Sequence, residues 1–184
     1  ALAAGARVTV FDTDVATAER RLKQAIDIAW PSMEKRGLAP TADSGAWHVT
    51  ADLADALAGA DLVQENVPER TALKQQVLAE IDALVPEDVL IGSSTSGIKP
   101  SELAEKAARA PGRIVVAHPF NPVYLLPLVE IVGNTATDEA TIEQARALYR
   151  GLGMKPLVVR AEIEGHIADR LMEALWREAL HLIN

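Results

Sequence analysis

Short apolar runs punctuate a chain that is otherwise patterned for helices. Arg7-Val8-Thr9-Val10-Phe11 is rich in β-branched residues and ends at Asp12, and Leu62-Val63, Val89-Leu90-Ile91 and Ile114-Val115-Val116-Ala117 follow it. Between these runs, apolar positions recur every three or four residues over Val15 to Arg36, Ala72 to Leu84 and Ser101 to Ala108. A short, continuously apolar strand is buried on both faces, so its alternation with helices predicts a doubly wound α/β fold with a mostly parallel sheet. Leu128 to Val132 and Pro156 to Val159, on either side of a helix from Glu139 to Leu152, supply the last strands. Pro31 lacks the amide that a helix interior needs, which predicts a kink or two helices in place of one long one.

The ends of the chain carry a further expectation. Ala1 to Ala4 read as the last turn of a helix closed by Gly5, so the first strand of the sheet and its glycine loop are expected ahead of residue 1. From Gly165 a new amphipathic pattern, with Ile167, Leu171, Leu175, Leu182 and Ile183 on one face, reaches Asn184 without a cap or a proline. The expected division is a sheet domain over residues 1–163 and the first helix of an all-α domain over 164–184.

Composition narrows the function classes. Hydrophobic residues make up 49% and charged residues 24%, and no apolar run reaches the roughly 18 residues of a membrane span. A net charge of −8 without clustered Lys and Arg argues against nucleic acid as a partner. With no cysteine, neither a disulfide framework nor a thiolate metal site is available; a metal-free protein of the reducing cytoplasm is the expectation.

Several residues sit where such a fold carries chemistry. Asp12 closes a strand at the position where a carboxylate accepts the ribose hydroxyls of an adenosine, and with Asp14 beside it a 2′-phosphate would be repelled, which selects NAD over NADP. A surface-turn aspartate has the same appearance. His118 directly follows a buried strand, with Asn121 three residues on and Glu130 on the next strand. An imidazole there can take a proton from an alcohol while a carboxylate on its other nitrogen fixes the tautomer. His48, His166 and His181 lack such a setting. Ser93-Ser94-Thr95-Ser96-Gly97 places hydroxyls at another strand's carboxyl end, where either ligand contact or helix capping would use them. Glu65, Glu69 and Lys74 follow the Leu62-Val63 strand, and a solvated helix start accounts for Glu69 and Lys74 equally well.

Taken together, Val8 to Asp12, Pro68-Glu69 with Lys74, Ser93 to Gly97, His118-Pro119-Phe120-Asn121-Pro122, Leu128-Val129-Glu130 and Gly165 to Leu171 resemble the L-3-hydroxyacyl-CoA dehydrogenase superfamily over nearly the whole chain. The resemblance implies a Rossmann-type NAD-binding domain, with His118 as catalytic base and Glu130 as its orienter. It further implies that Ser96 contacts the substrate oxygen and the cofactor, that Asn121, Glu69 and Lys74 border the nicotinamide nucleotide, and that Asp12 holds the adenosine ribose. A homodimer through the helical domain is implied as well.

Asp169 stands where that family usually carries an asparagine. Together with Val123 to Leu128 and Ala174-Leu175-Trp176-Arg177-Glu178, it looks like the carnitine 3-dehydrogenase branch. The expected substrate is then a small carnitine-like cation, its charge offset by Asp169 and its trimethylammonium group facing Tyr124, Phe120 or Trp176 at a gain of ~0.5–2 kcal/mol. Trp176 has core or dimer packing as its alternative. Rival readings are a coenzyme A thioester, for which Arg20, Arg21, Lys23, Lys35 and Arg36 would serve the phosphates, an anionic sugar acid, which Asp169 would repel, and a non-catalytic protein on the same fold.

Overall fold

The computed structural model describes residues 1–183. Two parallel strands, β1 (Val8–Phe11) and β2 (Trp47–Thr50), pair in one small sheet. A second sheet has the order β3 (Leu62–Glu65), β4 (Leu90–Ser93), β5 (Ile114–Pro119), β6 (Leu128–Val132), β7 (Lys155–Val159). Neighbours in it are parallel except β5 and β6, which run antiparallel. The helices are α1 (Val15–Arg36), α2 (Leu53–Leu57), α3 (Thr71–Leu84), α4 (Pro100–Leu103), α5 (Glu139–Gly151) and α6 (Ala168–Ile183).

Alternation along β5 shows why both faces of the larger sheet are closed. Ile114 and Val116 join Leu78, Ile81 and Leu103 under α3 and α4, whereas Val115 and Ala117 join Ala145 and Tyr149 under α5. All four β5 residues are fully buried, the pattern of a strand between two helical layers. His118 continues the α3/α4 side of the strand and emerges at its end. Gly92 on β4 lies under α5, where a Cβ would stand 3.0 Å from the Ala117 Cβ and overlap the Tyr149 hydroxyl. Gly92→Ala is therefore expected to cost ~1–3 kcal/mol through overpacking, measurable as a lower midpoint of denaturant unfolding.

Three sequence expectations change. α1 is one helix through Pro31, which removes the two-helix alternative. The carbonyl that proline leaves without a donor belongs to Asp27, which is exposed and can bond water, and only five helical residues remain beyond Pro31. β2 escaped notice because Trp47-His48-Val49-Thr50 is short and half exposed. The helix anticipated from Ser101 to Ala108 is one turn, α4, followed by a 3-10 turn at Ala104–Lys106. Gly5, at φ +83, closes the short turn Leu2–Ala4 as expected. Asn184 lies outside the described residues, and no helix among them is long and apolar enough to cross a membrane.

Candidate active site

Antiparallel pairing of β5 with β6 sets His118 directly opposite Glu130. In that register their side chains share a face, and His118 Nδ1 lies 3.1 Å from Glu130 Oε2. Glu130 is fully buried and the imidazole nearly so. Nε2, the other ring nitrogen of His118, has no partner among the described residues and is not sealed from solvent. The dyad therefore holds one nitrogen and presents the other.

Glu130 does more than orient an imidazole. Its Oε1 accepts from the amides of Ile167 (3.0 Å) and Ala168 (2.9 Å), where the chain enters α6. One carboxylate thus joins the imidazole to the positive end of the helix that carries Asp169. Asp169 is half-buried within the first turn of α6.

A second buried network holds the hydroxyl loop after β4. Glu65, the last residue of β3, accepts from Val67 N (2.5 Å), Ser93 Oγ (2.5 Å) and Lys74 Nζ (2.9 Å). Lys74 is 1% exposed, and its ammonium also donates to the Val67 carbonyl at 3.0 Å and faces Glu69 at 3.3 Å. Its charge is met inside the protein by Glu65, the Val67 carbonyl and Glu69. Glu69 remains half exposed and accepts from the Thr95 hydroxyl and the Ser96 amide. Burial works to raise the Glu69 pKa, but the Thr95 bond, the Lys74 charge and the Ser96 amide outweigh it and hold the carboxyl below its usual range. No hydroxyl caps α4, whose N-cap is Lys99; the Ser101 amide donates to Glu162, and Thr95 Oγ1 accepts from Ile98 N.

The remaining sequence candidates fall at the rim or farther out. Asp12 is exposed at the end of β1, one oxygen accepting from Asp14 N while Asp14 caps α1. Ser96 and Asn121 are exposed, and Tyr124 is half-buried, its carbonyl accepting from Arg36. Trp176 is 61% exposed and sits seven residues past Asp169 on α6, roughly 10 Å along the helix. His166, which follows no strand directly and is not a sequence candidate, has its ring centroid 5.8 Å from that of His118, while Phe120 lies at 4.8 Å. Among the described residues no three His, Asp or Glu side chains are grouped to hold a metal.

This geometry coincides with a family match. The profile described as "3-hydroxyacyl-CoA dehydrogenase, NAD binding domain" covers residues 1–163. The chain belongs to that family. An L-carnitine dehydrogenase of Bacillus cereus is 57% identical over 176 residues, which are 95% of this chain and 54% of that protein. The enzyme of the same name from Pseudomonas putida is 51% identical over 184 residues, all of this chain and 57% of that one. The chain thus spans little more than half the length of these relatives. Among solved structures, FadB2 of M. tuberculosis superposes with a TM-score of 0.87 at 28% identity, covering 99% of this chain and 65% of that one. An NAD+-dependent 5-formyl-3-hydroxy-2-methylpyridine 4-carboxylic acid 5-dehydrogenase gives 0.82 at 31% identity, with 99% and 59% covered.

The donor set suits the NAD that the family's domain takes. An exposed carboxylate closes β1, and Glu69, Ser96 and Asn121 are exposed beyond the ends of β3, β4 and β5, where ligands of open α/β sheets bind.

Proposed function

We propose that this domain serves an enzyme oxidising the 3-hydroxy group of L-carnitine to 3-dehydrocarnitine with NAD. The observation that carries the proposal is the His118–Glu130 pair, one imidazole nitrogen anchored on a carboxylate and the other open. Bound NAD would supply the hydride acceptor for C3. His118 Nε2 takes the hydroxyl proton as the C3–O bond becomes a carbonyl, and Glu130 offsets the charge that arises on the imidazole. Ser96 contacts the substrate oxygen; Asp12 holds the adenosine ribose; Asn121 and Glu69 border the nicotinamide nucleotide. Lys74 acts through Glu69 and Glu65 and does not reach the cofactor.

Relatives named for L-carnitine support the substrate, as does the acid at position 169. Asp169 offsets the trimethylammonium charge, with Tyr124 and Trp176 offering ring faces. Asp169→Asn is expected to raise KM for carnitine about tenfold, the order of one exposed charge contact, while KM for NAD stays put. Equal KM changes for both ligands would reject the role. α6 opens a helical domain through which the enzyme forms a cytoplasmic homodimer, and light scattering of the whole protein tests that assembly. The substrate itself is tested by following NADH absorbance with carnitine, a 3-hydroxyacyl-CoA and a sugar acid in turn. Turnover of the thioester with none of carnitine would move the enzyme to the acyl-CoA branch, and no turnover of any would favour a non-catalytic role.

A further inference from the structure

The turn before α6 places Gly165 and His166 in consecutive left-handed conformations, at φ +70 and +47. His166 is the single non-glycine residue with positive φ among the described residues. The turn is held at both ends, Gly165 N donating to Gly97 O and His166 N to Ile163 O. Just beyond it, the Ile167 and Ala168 amides converge on Glu130.

Glycine would make this turn without strain, and phenylalanine would fill the space. The chain has an imidazole there, fully buried, with neither ring nitrogen partnered. The charged or titratable groups around it are Glu130 from β6, His118 from β5 and Asp169 from the first turn of α6, with the Thr95 backbone beside it as a polar partner for the charged form. Glu130 has no oxygen to spare: Oε2 meets His118 and Oε1 accepts two amides. A charge on His166 would be desolvated with no carboxylate of its own, and this burial outweighs the help of Glu130, the Thr95 backbone and Asp169.

We infer that His166 is a third member of the Glu130–His118 cluster, a positioning residue that stays neutral so that the one positive charge Glu130 balances resides on His118. The inference rests on the dyad reading above. Burial holds the His166 pKa below its ordinary value; the Glu130 charge pulls it up and His118 pushes it down. The sign follows: the group is neutral above the ordinary histidine range, and folded-state stability is lost as the pH falls from that range toward its depressed pKa.

Ring titration of the four histidines by NMR in the whole protein tests this. His166 is expected to titrate below the ordinary histidine value and to move up by about one pH unit in His118→Gln, where the like charge is gone. In Glu130→Gln it is expected to move down. A His166 midpoint at the ordinary value, or one unmoved by His118→Gln, overturns the inference. His166→Asn, which tolerates left-handed backbone, adds an independent arm: a changed His118 midpoint and a shifted acid limb of kcat support it, and an unchanged His118 titration contradicts it. Should His118 be indifferent to Glu130→Gln, the dyad reading fails while the His166 response to His118→Gln is still read.

Discussion

Replacing His118 with glutamine is expected to lower kcat by about 10²- to 10⁴-fold, the span that a positioned general base contributes. NAD affinity should hold, because the proposed role of His118 is toward the alcohol and that of Asp12 toward the cofactor's ribose. Glutamine can still donate to Glu130, so the β5–β6 pairing and the α6 cap survive and the loss is confined to proton transfer. Equal losses in kcat and in NAD binding would point instead to a collapsed site.

Lys74→Met is expected to have the largest effect on stability. Methionine matches the shape of the lysine stem but leaves the Glu65 carboxylate buried without its cation, and removing one partner of such a pair costs ~3–5 kcal/mol. For a domain of this size that is a fall in Tm of about 10 °C. Adding Glu65→Gln to Lys74→Met should restore part of it, since a neutral amide needs no cation. The single variant should also weaken NAD binding, because Glu69 loses a neighbour and the Ser96 amide hangs on Glu69. A Tm within a degree of the parent protein's would mean that the pair contributes nothing net.

The dyad was legible in the sequence because its geometry is local. A histidine at the end of one strand and a glutamate twelve residues later on the next can meet whenever the intervening loop returns antiparallel, as it does between β5 and β6. The doubly wound fold was legible for a similar reason, each β5 residue from Ile114 to Ala117 being apolar whichever face it serves.

What escaped depends on contacts between distant residues. Lys74 reads as a solvated helix residue until Glu65 and the Val67 carbonyl are seen to enclose it. The anchor of α3 to the turn before β5, Arg113 on Asp82 at 2.7 Å, has no periodic signature. The second duty of Glu130, capping α6 across thirty-seven residues of chain, is equally silent. His166 follows no buried strand with a carboxylate on the next one; its nearness to His118 arises from the left-handed turn at Gly165.

The central claim is that one imidazole, anchored by Glu130, removes the proton of an alcohol lying against the nicotinamide. A crystal structure of the whole protein with NADH and carnitine tests it most directly. The substrate's C3 oxygen should lie about 2.6–3.2 Å from His118 Nε2, with the His118–Glu130 bond intact. An oxygen bound away from Nε2, or a Glu130 that has turned from the imidazole, would contradict it.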